Sequence, residues 1–148
     1  MIHFVLLVSR HGAKVRLSKF YTQYSARERA RIVQLLAPIV IARSSKLCNF
    51  LDFRGVRVAY KRYAGLYFIV GIDDGDNELH TLDIIHHYVV VLDKHFGNVC
   101  ELDLIFNFDK AYYMLDEVLV AGRLVESSKN IITTNIEEQD AEMAESAV

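Results

Sequence analysis

The chain has 148 residues, enough for one compact domain with a real core. A 52% apolar composition with eight Phe and eight Tyr excludes a disordered polymer. The net charge of -2 conceals a polarity: residues 1–62 carry 13 Lys/Arg against Glu28 and Asp52, residues 63–129 carry 4 against 12 acids, and the end carries Glu137, Glu138, Asp140, Glu142 and Glu145 with no base.

Two strand-like runs come first, Ile2 to Ser9 and Lys14 to Tyr21, joined by His11-Gly12-Ala13 at hairpin spacing. Ser25-Ala-Arg-Glu28 matches a capping box, and Ile32, Val33, Leu35, Leu36, Ile39 and Val40 follow at helical spacing. Pro38 falls inside that helix, where it removes a backbone hydrogen bond, so the helix is expected to stop or kink near Leu36. Three more strands read as Leu47 to Phe53, Val56 to Tyr63 and Leu66 to Ile72, punctuated by Arg54-Gly55 and Ala64-Gly65. After the polar loop Asp73-Asp-Gly-Asp-Asn77, a helix is predicted with its apolar face on Leu79, Leu82, Ile85, Val89, Leu92 and Phe96. A further helix is predicted from about Glu101 to Ala121, capped at Gly122.

The fold class that follows is α+β, a five-stranded antiparallel sheet flanked by helices in the order ββαβββαα. Residues 1–129 form the predicted domain. Residues 130–148 form an acidic tail, a short helix around Ile131, Ile132 and Ile136 and then a disordered end.

Phe4 to Val8 is too short an apolar run to span a bilayer and lacks the basic lead-in of a secretory signal, so the chain is expected to stay in the cytosol. Cys48 and Cys100 lack zinc-type spacing and read as reduced structural thiols. The basic first half suits an acidic peptide, a lipid headgroup or an acidic partner, or is compensated by the acidic half.

Several patterns imitate chemistry without its requirements. Lys61-Arg-Tyr-Ala-Gly-Leu-Tyr-Phe68 approaches an RNA-binding strand, but Arg62 and Gly65 stand where a glycine and a stacking aromatic are needed, so no nucleic acid is expected. Asp73 to Glu78 misplaces its glycine for a calcium loop. His80, Asp83 and His87 share a helix face, which a solvated polar face explains more simply than a metal. No catalytic constellation, metal or other cofactor is expected, and the chain does not read as an enzyme.

Asn98-Val-Cys-Glu-Leu-Asp-Leu-Ile-Phe-Asn-Phe108 and Tyr60-Lys-Arg-Tyr-Ala-Gly-Leu-Tyr-Phe68, with Met1 to Arg10, Asn77-Glu-Leu79, Ile84 to Val89 and Leu115-Asp-Glu117, resemble the small (sigma) subunits of clathrin adaptor complexes. The resemblance covers roughly residues 1 to 129. Leu47-Cys-Asn-Phe50, Ile85-His-His-Tyr88 and Phe108 to Tyr113 look most like the trans-Golgi and endosomal adaptor. It implies a longin-like fold and membership of a heterotetramer with two large adaptins, one in direct contact, and a medium subunit. Peripheral membrane association, clathrin and an Arf-type GTPase follow indirectly through that complex. It also implies binding of the acidic dileucine signal [D/E]xxxL[L/I] in cargo tails. The family's pocket positions match Ala64, Leu66, Val89, Asn98, Val99, Leu102 and Leu104, and its basic contact for the acid matches Arg16. Read without the resemblance, Val89, Val99, Leu102 and Leu104 are better taken as ordinary core residues on helix faces, although two residues two apart on a helix cannot both face inward. Alternative readings are a coatomer zeta-like chain or the plasma-membrane adaptor small subunit.

Overall fold

A computed structural model describes residues 1–43 and 49–125, the last five of these as backbone only. Cys48, the Leu47 start of the third strand and the acidic tail lie outside the described residues. The chain divides into two compact units, Met1–Leu82 and Asp83–Val148.

The first unit is built on a sheet of β1 (Ile2–Ser9), β2 (Val15–Phe20), β3 (Phe50–Phe53), β4 (Val56–Tyr63) and β5 (Leu66–Ile72). The strands lie in the order β2-β1-β5-β4-β3 and every pairing is antiparallel. β5 sits centrally, and all seven of its residues are buried. Strand alternation sends Leu6, Val8 and Ile69 to one face and Val5, Leu7, Leu66 and Phe68 to the other, yet all are buried. Sheets of that kind are covered on both faces.

Helix α1 (Ala26–Ala42) closes the first of these faces: Ile32, Leu36, Ala37 and Val40 join Phe4, Leu6, Val8, Val58 and Ile69 in one core. Full burial of a side chain such as Leu36 is worth about 1.5 to 3 kcal/mol before entropy is charged. The capping box is present, since Ser25 Oγ accepts from the Glu28 N–H at 3.1 Å and Glu28 Oε2 accepts from the Ser25 N–H at 3.3 Å. The helix does not stop near Leu36. It continues through Pro38 to Ala42, because Pro38 and Gln34, whose carbonyl loses its partner, lie on the exposed side where water can replace the bond. Val40 packs as expected, but Leu35 and Ile39 remain partly exposed.

Two irregularities shape the sheet. The β1–β2 register passes from Leu7↔Leu17 to Val8↔Val15, which leaves Arg16 as the extra residue of a bulge. At Gly71 a Cβ would stand 2.5 Å from the Phe4 ring, so no larger residue fits there without displacing a fully buried aromatic.

The chain continues as α2 (Glu78–Phe96), α3 (Glu101–Phe106) and α4 (Phe108–Val125). Asn77 Oδ1 accepts from the His80 N–H at 3.1 Å, which starts α2 with a side-chain cap. The buried arc of α2 is rotated from the expected one: Leu79 is exposed, whereas Ile84, Tyr88 and Val91 join Ile85, Val89 and Leu92 inside. The single helix expected from Glu101 is two, broken at Asn107, where φ -132 and ψ 40 leave the helical region. α4 then runs through Gly122 to Val125, so Gly122 is not a cap. Tyr88 donates its hydroxyl to the Ala111 carbonyl at 2.8 Å and ties α2 to α4 inside the second unit.

Candidate functional site

In the first unit, Arg16, Ala64 and Leu66 gather at one end of the sheet. Ala64 and Gly65 form the two-residue turn between Tyr63 and Leu66, which pair across β4 and β5. The Arg10 N–H donates to the Gly65 carbonyl at 2.8 Å, and Leu66 pairs with Ser9 of β1. The Arg16 bulge therefore lies two strands from Leu66, about 10 Å away at ordinary strand spacing. Ala64 is exposed with φ +54, a left-handed conformation that costs a non-glycine residue about 1 kcal/mol. Leu66 is fully buried.

In the second unit, Asn98, Val99, Leu102 and Leu104 lie on the α2–α3 junction. Gly97 and Asn98 both have positive φ, and Asp93 fixes the reversal by accepting the Gly97 N–H through its carbonyl at 2.8 Å and the Val99 N–H through Oδ1 at 2.9 Å. Asp103 Oδ2 accepts the Cys100 N–H at 2.9 Å, a start signal for α3 that the sequence reading passed over. Cys100 is a free thiol, as expected, and it is exposed.

The inward/outward split expected of Leu102 and Leu104 is present: Leu104 is 1% exposed and Leu102 60%. Val89 and Val99 are buried with Leu104, leaving Ala64, Asn98 and Leu102 as the exposed residues among the eight site candidates, with Arg16 half-buried. Ile105, Phe106 and Phe108 extend the surface of Leu102 into a run of exposed apolar side chains around the Asn107 break. Isolated exposed leucines are ordinary; a run that includes two exposed phenylalanines is not.

Polar networks missed by the sequence reading tie the first unit together. His3 Nδ1 bonds the Tyr24 hydroxyl at 2.8 Å and its Nε2 bonds Asp73, while the Met1 ammonium pairs with Asp73 and Asp76. The hydrogen bond from His3, joined by that from the Met1 ammonium, holds the Asp73 carboxyl below its ordinary value. Partial burial pulls the Met1 amine down, but the bonds to Asp76 and Asp73 outweigh it and the net shift is upward. Arg57 donates to Glu78 at 2.5 Å and to Asp52 at 3.1 Å, and these two bonds raise its pKa. The contacts of Met1 and His3 with Asp73 and Asp76 join residues 70 or more apart, which no local spacing reveals. Among the described residues no group of three or more His, Cys, Asp or Glu could hold a metal, and no helix is long and apolar enough to cross a membrane.

The family model for the clathrin adaptor complex small chain matches residues 1–143. The chain belongs to that family. It is 59% identical over 140 residues to the AP-1 complex subunit sigma-1 of Arabidopsis thaliana, covering 95% of this chain and 86% of that one. The same-named subunit of Schizosaccharomyces pombe is 52% identical over 141 residues, covering 95% and 86%, and human AP-1 complex subunit sigma-1A is 51% identical over 140 residues, covering 95% and 88%. A chain from a homology model of the full-length AP-3 complex in a stretched open conformation superimposes with a TM-score of 0.70 at 30% identity, covering 100% of this chain and 99% of that one. The small chain is thus a subunit of a multi-subunit vesicle-trafficking adaptor, with the longin-like sheet expected of it.

Proposed function

We propose that this small chain serves the trans-Golgi and endosomal clathrin adaptor, stabilising a heterotetrameric core with two large subunits and a medium subunit and helping that core bind acidic dileucine signals. The observation that carries the adaptor class is the 59% identity to a sigma subunit of the AP-1 complex. The exposed apolar run Leu102, Ile105, Phe106 and Phe108 supports a life in contact with partners. Membrane attachment, clathrin and the Arf-type GTPase are reached through the complex.

For cargo, Arg16 contacts the acidic residue and Ala64, Leu66, Val89, Asn98, Val99, Leu102 and Leu104 contact the paired leucines. The spacing within the first unit supports this: in an extended signal the acid stands about 13 Å from the first leucine, within reach of an arginine side chain rooted about 10 Å from Leu66. Leu66, Val89, Val99 and Leu104 are buried, so a leucine reaches them only when neighbouring side chains part. Burying two leucine side chains gives about 3 to 6 kcal/mol gross, and ordering the tail reduces this to micromolar or weaker binding. Avidity at the membrane supplies the remainder.

Binding of a [D/E]xxxLL peptide to the assembled complex tests the proposal, with a peptide whose leucines are changed to alanine as control. Val89→Asp is unsuitable because Val89 is buried and an unpaired charge there also attacks the fold. Leu102→Ser and Arg16→Ser are the informative changes. Each is expected to weaken the intact peptide, Arg16→Ser with reduced salt dependence. Unchanged affinity in both would remove the site assignment, and a wild-type complex that ignores the peptide would remove the cargo function.

A further inference from the structure

The outer face of α1 carries three features that each cost the helix stability. Arg27 and Arg31 stand one turn apart, both exposed, in its N-terminal half. Like charges at that spacing repel, and the positive end of the helix dipole disfavours a cation there. Glu28, the one acid of α1, is engaged in the cap with Ser25, and among the described residues no carboxylate pairs with either arginine. Further along, Leu35 and Ile39 are 39% and 44% exposed. Pro38, on the same side, leaves the Gln34 carbonyl without its helical partner.

These features follow one path. Arg27, Arg31, Leu35 and Ile39 are spaced by four and form a single ridge, and Ala30, Gln34, Pro38 and Ala42, all exposed, form the next. The groove between the ridges runs from two cations to two apolar side chains, about 12 Å further along the helix axis, with the Gln34 carbonyl between them. The opposite face of α1 obeys every local rule, with Ile32, Leu36, Ala37 and Val40 buried. Departures gathered on one face mark a surface shaped by something other than the stability of its own helix.

We propose that this groove docks a helix of a partner protein that carries an acidic side chain for Arg27 and Arg31 and, about two turns further on, apolar side chains for Leu35 and Ile39. A carboxylate between the arginines removes their repulsion, and a polar side chain of the same helix donates to the Gln34 carbonyl. One occupant thereby relieves all three costs. A second copy using the same face brings arginine or apolar side chains to Arg27 and Arg31, and no uncommitted acid. A bilayer fits less well, because cations and apolar residues here succeed one another along the ridge instead of flanking a long apolar stripe, and lipid tails cannot satisfy the carbonyl. The inference does not rest on the dileucine reading.

The test uses the full-length chain and a fluorescein-labelled, Ala-rich helical peptide with two glutamates one turn apart, a glutamine in the next turn and two leucines one turn apart beyond it, followed by anisotropy. No two leucines are adjacent, so the probe is not a dileucine signal. Peptides with the glutamates changed to glutamine or the leucines to serine, and phosphatidylserine vesicles, are the other arms. Arg31→Glu is expected to weaken the acidic peptide at least about fivefold, and Leu35→Ser combined with Ile39→Ser at least about tenfold. Arg62→Gln on β4 should change it less than about twofold. Raising salt from about 50 to about 200 mM should weaken binding of the unaltered protein. Thermal melts establish that the variants are folded; all three positions are exposed, and Arg31→Glu removes a repulsion, so it should melt no lower than the unaltered chain. Equal affinity for either control peptide, unchanged binding by the variants, or binding of vesicles without any binding of the acidic peptide would each overturn the proposal.

Discussion

The Phe4 ring lies across the backbone of Gly71, its strand partner, at a distance that leaves no room for a methyl group. Phe4 is fully buried in the core beneath α1, so it cannot swing into solvent to make space. Gly71→Ala is expected to destabilise the chain by about 1 to 3 kcal/mol, the usual cost of overpacking. A denaturant titration measures it. Combining Gly71→Ala with Phe4→Leu should recover part of the loss, which separates a steric clash from a general intolerance of change.

Pro38 gives the opposite sign. It sits in a helix that continues past it, on the exposed side, where its missing N–H leaves a carbonyl to water. Pro38→Ala is expected to stabilise by about 1 to 3 kcal/mol, the proline penalty less the entropy that proline removes from the unfolded chain. A melt of the variant that is lower than wild type would show that the helix depends on proline geometry.

Leu102 and Leu104 should part company under substitution. Leu102→Ser, at a 60% exposed position, is expected to shift stability by no more than about 0.5 kcal/mol. Leu104→Ala, at a 1% exposed position, should cost about 2 to 5 kcal/mol. Paired unfolding curves decide the matter, and similar losses in the two would mean that the α3 orientation is misassigned.

The N-terminal anchor predicts a stability window in pH. The Met1 amine has its pKa raised above 8.0, so its contribution is complete below about pH 8 and disappears as pH rises through the raised value. Asp73, lowered from 3.8, contributes above about pH 4 and loses its effect as pH falls through the lowered value. Asp76→Asn should flatten the alkaline limb while leaving the acid limb, and melting temperature against pH reads both.

Most of the fold was legible because its signals are local. The capping box at Ser25 and Glu28 and the Arg54-Gly55 and Ala64-Gly65 turns are written in adjacent residues, and the strands between them fell where alternation and punctuation put them. The Asn107 break was not legible, since Ile105, Phe106 and Phe108 continue the apolar content across it and only the backbone departs from helix. Pro38 misled because propensity counts the missing bond but not where its carbonyl faces. At the candidate site, helical geometry alone foresaw that Leu102 and Leu104 must divide. Which one turns inward is fixed by Asp93 and Asp103, whose bonds aim the start of α3. The positive φ at Ala64 likewise has no sequence signature, whereas Asn98 is a residue type that tolerates it.

The bulge at Arg16 gives the first hairpin a tolerance for length. Because β2 absorbs one residue there, Val15 shares a face with Val8 while Leu17 shares the opposite face with Leu7, though 15 and 17 would otherwise point the same way. A residue gained or lost between Ser9 and Val15 can be settled by forming or dissolving that single irregularity, and Leu17, Ser18, Lys19 and Phe20 keep their directions. Drift in the hairpin's tip is thereby insulated from the remainder of β2.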